Sequence, residues 1–376
     1  QLRQDIQIEL DIRNQAAQST GAKFPGATAA LILPDGRVIG FATGYADLEQ
    51  RTVMSIDARM PAGSVGKTFV AAVTLSMVAD GKLQLDAHIS RWLGDELWFK
   101  RLPNADTITL RHLLNHSSGL IDHVFDEQSS FASHLKQRAG SGVGLSGLDP
   151  REAIKFALDQ QPLFPAGKGF HYADSGYILL GLIIEKAGGL DYYTQLNQRF
   201  LQPLDLRLTT AQNCRKFPGL AAGYAPRGKQ LFGFPYKVAQ DETFAFDPSL
   251  EWTGGGVVSN SQDLVRWARA LFAGSAIDHW ALDAMLNGVA NPGQRDAAGR
   301  PYGYGLGVSI AQTPYGTVYR HGGFFPGYNS LLGWFPDAGV GVAMQINADN
   351  SNIEQHFDAM VNIIMQAEAL SNENLE

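Results

Sequence analysis

At 376 residues, of which 45% are hydrophobic and 18% charged, the chain can bury a large core, as one big domain or two interleaved ones. Its formal net charge of -7, without a Lys/Arg run, argues against nucleic acid as a partner, and its longest uncharged hydrophobic runs, 68–79 and 175–184, fall short of the roughly 20 apolar residues of a membrane span. The lone cysteine, Cys214, excludes an internal disulfide framework and any cysteine-cluster metal site.

The first ten residues are polar and lack the charged-then-apolar pattern of an export signal, so any such signal is expected to be absent or removed ahead of this numbering. Residues 27–33 and 37–43 are apolar runs around Pro34-Asp35-Gly36, which predicts a β-hairpin and a chain that starts with sheet. Residues 68–79 read TFVAAVTLSMVA, apolar nearly all the way round as in a buried helix, with Asp80-Gly81-Lys82 as the stop. Residues 110–114 and 151–158 predict further helices, and the glycine-rich stretch 140–147 between them predicts a mobile surface loop. Another apolar helix is expected over 177–187, closed by Gly188-Gly189. From Trp252 the texture changes: Thr253-Gly254-Gly255-Gly256 leads through Val257-Val258-Ser259 into a helix over 261–272, whose Asp263 suits the first turn. Short runs at 306–311, 318–321, 330–335 and 339–346, bounded by Gly, Pro, Asn or Asp, predict an antiparallel sheet. Strands at both ends of a helical middle predict an α/β (α+β) fold. Its antiparallel sheet, flanked by helices, comes from residues 1–80 and 253–376, a mostly helical inserted domain occupies 81–252, and the active site lies between them.

Three short motifs carry chemistry. Ser64-Val65-Gly66-Lys67 puts a serine and a lysine three residues apart on one helix face at the edge of the apolar segment, a candidate nucleophile beside a candidate base. Ser-x-x-Lys alone is unspecific: Ser133 and Lys136 match it in polar surroundings, where the ammonium is solvated and cannot act as a base. Ser64 is expected in the first turn of the buried helix, where free N–H groups can donate to a developing oxyanion; the alternative is an N-capping serine followed by a surface lysine. Tyr172-Ala173-Asp174 ends a loop just before an apolar helix, so a phenol and a carboxylate can converge on a cleft, and a nearby ammonium would lower the phenol enough to make it a general base. The same tripeptide recurs at Tyr45-Ala46-Asp47, so it has no specificity without its loop. His321-Gly322-Gly323-Phe324 follows a strand: the glycines allow close approach of a substrate backbone, the N–H of Phe324 can complete an oxyanion hole with that of Ser64, and His321 would face a substrate carboxylate. A phosphate-binding loop ending at Gly66-Lys67-Thr68 fails because Pro61 stands where its first glycine belongs. Gly142-x-Gly144-x-x-Gly147 lacks the strand and helix of a dinucleotide fingerprint, and His112 and His116 lack the glutamate of a helical zinc motif.

In this order and context the three motifs resemble the penicillin-recognising serine hydrolases: D-alanyl-D-alanine carboxypeptidases, class C β-lactamases, related esterases and D-amino-acid peptidases. The resemblance spans about residues 25 to 350. It takes in Leu113-Leu114-Asn115-His116-Ser117-Ser118-Gly119-Leu120, Phe164-Pro165-Ala166-Gly167, Tyr177 to Gly181, Gly254 to Ser259 with Asp263, and Tyr304 to Gly307. It implies a β-lactamase/transpeptidase-like fold and acyl transfer through an acyl-enzyme on Ser64, without metal or cofactor. It also implies that Lys67 and Tyr172 share the proton work and that His321-Gly322-Gly323 is a strand edge pairing with substrate. Two residues depart from the family pattern. Asp174 replaces the usual asparagine, and an anion beside Lys67 would hold it as ammonium; we therefore expect Tyr172, as a phenolate steadied by Lys67, to take the proton from Ser64 while Asp174 orients Lys67. His321 stands where the β-lactamases usually carry lysine, which is closer to the carboxypeptidase and D-aminopeptidase branch. The expected function is a D-alanyl-D-alanine carboxypeptidase-like or D-aminopeptidase-like peptidase, with β-lactamase, carboxylesterase or a non-turnover penicillin or peptidoglycan binder as alternatives. Its partner would be a small molecule or peptide: a D-amino-acid amide, a β-lactam or an ester. The resemblance implies a periplasmic or secreted location, with the cytoplasm as the alternative. Cleft walls are expected from 121–150 and 214–252, with Asp122, His123 and Tyr224 as lining residues.

Overall fold

The computed structural model describes residues 1–19, 24–140, 149–291, 293–295 and 299–373. Its frame is a nine-stranded sheet in which every neighbouring pair is antiparallel. The order across it is Thr52–Val53, Val38–Asp47, Gly26–Ile32, Val340–Ile346, Tyr328–Phe335, Gly316–Phe325, Ser309–Thr313, Pro301–Tyr304, Gln294–Arg295. The first hairpin therefore joins the last strands edge to edge, with Ala27 opposite Ile346 and Ala30 opposite Ala343. Because side chains alternate across a strand, Ala30, Ile32, Leu332 and Trp334 feed one core while Ala27, Leu31, Leu331 and Met344 feed another. The helix Ser261–Phe272 covers the first face, and the helices Leu2–Ser19 and Ile353–Glu373 pack together on the second.

The apolar helix is present as Lys67–Ala79 and is locked to the sheet layer through Trp267. Phe69 and Trp267 stack with ring centroids 4.1 Å apart, and the indole N–H donates to Thr68 Oγ1 at 2.8 Å. Against it packs Asp174–Gly188, closed by Gly189 in the left-handed conformation.

The chain does not start with sheet but with the helix Leu2–Ser19, whose Ile6 and Leu10 are one turn apart and buried. The closing helix Ile353–Glu373 has the same logic in Phe357, Met360, Val361 and Ile364. Residues 150–157 form a 3-10 helix rather than an α-helix, which suits the three-residue spacing of the buried Ile154 and Ala157. The strand expected from 306 begins only at Ser309, because Gly307 turns the chain at φ +79°. Of the expected glycine-rich loop, residues 141–147 lie outside the described residues.

Candidate active site

Ser64 sits one step earlier than expected, on the 3-10 turn Gly63–Gly66 that runs directly into the Lys67 helix. The two side chains still share a face: Lys67 Nζ donates to Ser64 Oγ at 3.0 Å. The turn lies against the strand Gly316–Phe325 because two glycines let it. Gly63 adopts φ +54°, and a side chain there would meet Phe324 N at 2.6 Å. A side chain on Gly323 would run into the Ala62 carbonyl, so this glycine seats the Ser64 turn, while Gly322 is exposed to the cleft. Past Arg320 this strand is no longer paired with Ser309–Thr313, and here the turn brings Ser64 N beside Gly323 and Gly63 beside Phe324 N.

Lys67 is 0% exposed. Its ammonium meets Asp174 Oδ1 at 2.5 Å and donates to the Gly254 carbonyl. The distance makes the Asp174 contact an ion pair, although Oδ1 has no partner at hydrogen-bond angles. Burial alone would drive the lysine's proton affinity down; the attraction of Asp174 and Tyr172 outweighs it and holds the ammonium above the usual lysine range. The Gly254 carbonyl reaches Lys67 through a strained turn, in which Trp252 adopts φ 39° and ψ -122°, a conformation that costs about 1–3 kcal/mol. Beneath Asp174 lies Asp122, whose Oδ1 accepts from Asp174 N at 3.2 Å; burial, and then the Asp174 charge, push its carboxyl up to about 8.

Tyr172 is packed on His116, with ring centroids 4.1 Å apart, and Lys67 Nζ lies 5.0 Å from the centroid of its ring. Burial raises its phenol to about 12 despite the pull of Lys67, so the resting group is a neutral phenol and not the phenolate expected from the sequence. Ser64 and Lys67 are close enough to temper that rise, yet Oη is sealed from solvent with no partner at hydrogen-bond geometry. His116 Nδ1 accepts from Ala173 N at 3.1 Å and His112 Nδ1 accepts from Thr109 N at 3.2 Å, so both histidines hold backbone. Tyr45-Ala46-Asp47 ends the strand Val38–Asp47.

His321 does not face a substrate carboxylate as expected. Its Nδ1 lies 2.7 Å from the Gly322 carbonyl, which can only accept, so Nδ1 carries the proton and Nε2 accepts from Tyr304 Oη at 2.8 Å. Burial, and then the Lys67 charge, lower the ring to about 4. Neutral and with both nitrogens committed, it offers neither charge nor donor.

Two recesses meet at Ser64, Phe125 and Phe324. The enclosed one is walled by Phe131, Leu135, Phe232, Phe234 and Leu250, with Asp174 and Glu251 among its lining residues. Glu251 Oε2 accepts from Gln212 Nε2 at 2.9 Å, and burial pushes this carboxyl up to about 7. The open recess is lined by Tyr172, Arg227, Tyr302, Ser309, His321 and Gly322. Of the expected lining residues, His123 borders the enclosed recess, Asp122 lies behind it, and Tyr224 is elsewhere, donating to Glu49 Oε2 at 2.9 Å. Sequence reasoning missed Glu251, Arg227 and the phenylalanine wall; the only local signal was the recurrence of Phe at 232, 234, 244 and 246.

A family model described as beta-lactamase matches residues 13–363. A penicillin-binding protein of Bacillus subtilis (strain 168) is 26% identical over 77% of this chain, which spans only 60% of that protein's length. Esterase EstB of Burkholderia gladioli is 26% identical, covering 81% of the chain and 80% of the esterase. The crystal structure of a D-stereospecific amidohydrolase from Streptomyces sp. superposes with a TM-score of 0.77 at 28% identity, covering 92% of this chain and 96% of that one.

Proposed function

The chain belongs to the beta-lactamase family, and from that premise we propose that it is a serine hydrolase acting through an acyl-enzyme on Ser64, with D-amino-acid amides and short D-peptides as substrates. The observation that carries this reading is the contact of Ser64 Oγ with Lys67 Nζ at 3.0 Å, beside a buried phenol and at the mouth of a largely apolar recess. Ser64 attacks the scissile carbonyl carbon, and the N–H groups of Ser64 and Phe324 hold the oxyanion that forms. The Ser64 proton passes to Lys67 Nζ while an Nζ proton passes to Asp174 Oδ1, so the ammonium is conserved and Asp174 becomes the acid. Tyr172 then protonates the leaving nitrogen, and its own proton is restored from Asp174 through Lys67. Water reverses these steps to release the acid.

The enclosed recess takes the acyl side: its phenylalanines receive an apolar side chain, and Glu251 receives a free α-ammonium. The amidohydrolase likeness supports an amide substrate. Carboxylesterase activity is the second reading, favoured by the same apolar walls and by the likeness to EstB. In this proposal residues 1–80 and 253–376 form one side of the cleft and residues 81–252 the other, the location is periplasmic or secreted, and nucleic acid is not a partner. Among the described residues no helix is long and apolar enough to cross a membrane. The test is turnover of D- and L-phenylalanine amide and of p-nitrophenyl esters, with intact-mass detection of the acyl-enzyme and Ser64→Ala as control. Ser64-dependent turnover that prefers the D-amide supports the reading; no turnover and no adduct overturn it.

A further inference from the structure

We infer that His116 is a positioning residue for the reaction: it grips the backbone on both sides of Tyr172 and backs the phenol ring, which fixes where Oη can deliver a proton. This rests on the hydrolase reading above, in which Tyr172 protonates the leaving nitrogen. Tyr172 is a proton donor with no anchor at its tip, because among the described residues no group meets Oη at hydrogen-bond geometry. The place of the phenol is therefore set by what touches its ring and by the backbone that carries it.

His116 supplies both. Its ring centroid lies 4.1 Å from that of the phenol with the planes at 33°, against 5.8 Å for Tyr304 and 6.3 Å for His321. Its carbonyl accepts from His171 N at 2.9 Å and its Nδ1 from Ala173 N at 3.1 Å, so one residue holds the chain immediately before and after Tyr172. Further back along the loop, Gly167 N donates to the Ser117 carbonyl at 2.8 Å and Leu163 N to the Gly119 carbonyl at 2.9 Å. Those bonds are main chain to main chain, whereas the Ala173 bond and the ring contact belong to the His116 side chain alone. An imidazole suits the place because it joins a flat face to an acceptor in the ring plane. With Nδ1 accepting, Nε2 carries the proton; burial, and then the Lys67 charge, hold the ring far below the usual histidine range, so the acceptor is kept at neutral pH. His116 adopts φ 59°, a left-handed conformation that a histidine keeps only where its surroundings impose it. The residue is 1% exposed, and among the described residues Nε2 has no partner, so the ring acts through Tyr172 and not on the substrate.

Single-turnover acylation by D-phenylalanine amide and by a p-nitrophenyl ester tests this in two variants, each made alone and in a Tyr172→Phe background. His116→Asn tolerates the left-handed conformation but brings no ring, and His116→Phe keeps a ring face but removes the acceptor. Misplacing a reacting group by about 1 Å can cost about 100-fold. We expect either variant to slow amide acylation about 10- to 100-fold and ester acylation less than about threefold, with the loss in rate and not in substrate affinity. In the Tyr172→Phe background the same substitution should cost less than about threefold, because the group it positions is already gone. Backbone hydrogen exchange over residues 168–176 should be faster in either folded variant. Thermal melting checks folding, and the asparagine variant decides if the phenylalanine variant does not fold. Equal losses on amide and ester, a full cost retained in the Tyr172→Phe background, or unchanged exchange overturns the inference. A wild type acylated by neither substrate would instead overturn the hydrolase reading, and the exchange result alone would then keep or remove the grip of His116 on the Tyr172 loop.

Discussion

Asp174→Asn restores the residue usual at this position in the penicillin-recognising enzymes and removes a negative charge 2.5 Å from Lys67 Nζ. Two unit charges at that separation interact by about 6–7 kcal/mol at an effective dielectric constant of 20. Relaxation that halved this would still leave roughly two pK units, at about 1.4 kcal/mol each. Burial then weighs more heavily against the ammonium, because the side chain is 0% exposed, and the hold of Lys67 on its proton falls from its raised level. With no carboxylate to relay its proton, the variant must use neutral Lys67 as the base, a minor species at pH 7. The expected result is kcat/KM on D-phenylalanine amide reduced about 10- to 100-fold at pH 7 and recovering as pH rises, a rise the wild type lacks. Asp122 titrates in both proteins but shifts oppositely: its carboxyl, raised first by burial and then by Asp174, comes down when that charge is removed. Parallel pH profiles, with the same rate ratio at pH 6 and pH 9.5, would refute the relay through Asp174.

Tyr172→Phe removes the proposed proton donor to the leaving group. It should slow acylation by an amide about 10²- to 10⁴-fold but acylation by a p-nitrophenyl ester less than tenfold, because that leaving group departs without a proton; equal losses in single-turnover experiments would sink the assignment. Glu251→Gln should raise KM for D-phenylalanine amide several-fold and erase discrimination against the N-acetylated amide, and a specificity ratio equal to wild type would remove Glu251 from the acyl site. Stability has its own pH signature. Burial lowers His123, His321 and His356 to about 4, and lowers His116 as well. Between about pH 4.5 and 6.5 the unfolded chain therefore holds protons these rings lack in the fold, and stability is lost as pH falls. Asp122 and Glu251, raised to about 8 and about 7, act in the opposite sense and cost stability as pH rises toward 8. We expect urea-unfolding stability to climb by about 1–3 kcal/mol per pH unit up to a maximum near pH 6.5 and then decline; a monotonic rise to pH 8 would contradict the two carboxyl assignments.

The parts of the molecule legible in the sequence are those where one physical reason is local. An uninterrupted apolar run made the Lys67 helix readable, a Pro-Asp-Gly tripeptide made the first hairpin readable, and Asn260 and Asp263 at the start of Ser261–Phe272 supply cap and dipole together. The terminal helices carry their pattern thinly, one apolar residue per turn at Ile6 and Leu10, and a polar opening segment hid it. Protonation was the least readable. That Tyr172 rests as a phenol depends on sealing by His116 and Tyr304, which come from distant segments, and no spacing in the sequence encodes that burial. His321 shows the same: its motif suggests a donor facing outward, and only the Tyr304 hydroxyl at 2.8 Å reveals that the ring is already committed.

Charge balance ties the two recesses to one kind of substrate. In the resting site Lys67 and Asp174 cancel, while Asp122 and Glu251 are raised by burial toward their neutral forms, so the enclosed side is close to neutral overall. An apolar pocket in that state cannot accept an anion cheaply: a carboxylate there would meet no free donor and would raise Asp122 and Glu251 further. An ammonium has the reverse effect, because Glu251 ionises in response and the pair stays neutral in a low-dielectric space. The open recess has the complementary bias: Arg227 lies over Phe324, while Glu354 of the same lining is paired with Arg320. A molecule with a cation beside its acyl carbon and an anion beyond its scissile bond satisfies both sides at once, and reversing it places each charge where nothing answers it. The site therefore selects by direction as well as by shape, and a free D-dipeptide should outcompete the same dipeptide blocked at either end. If both blocked forms were hydrolysed as efficiently as the free one, the charges flanking Ser64 would be structural, and substrate choice would rest on the phenylalanine wall alone.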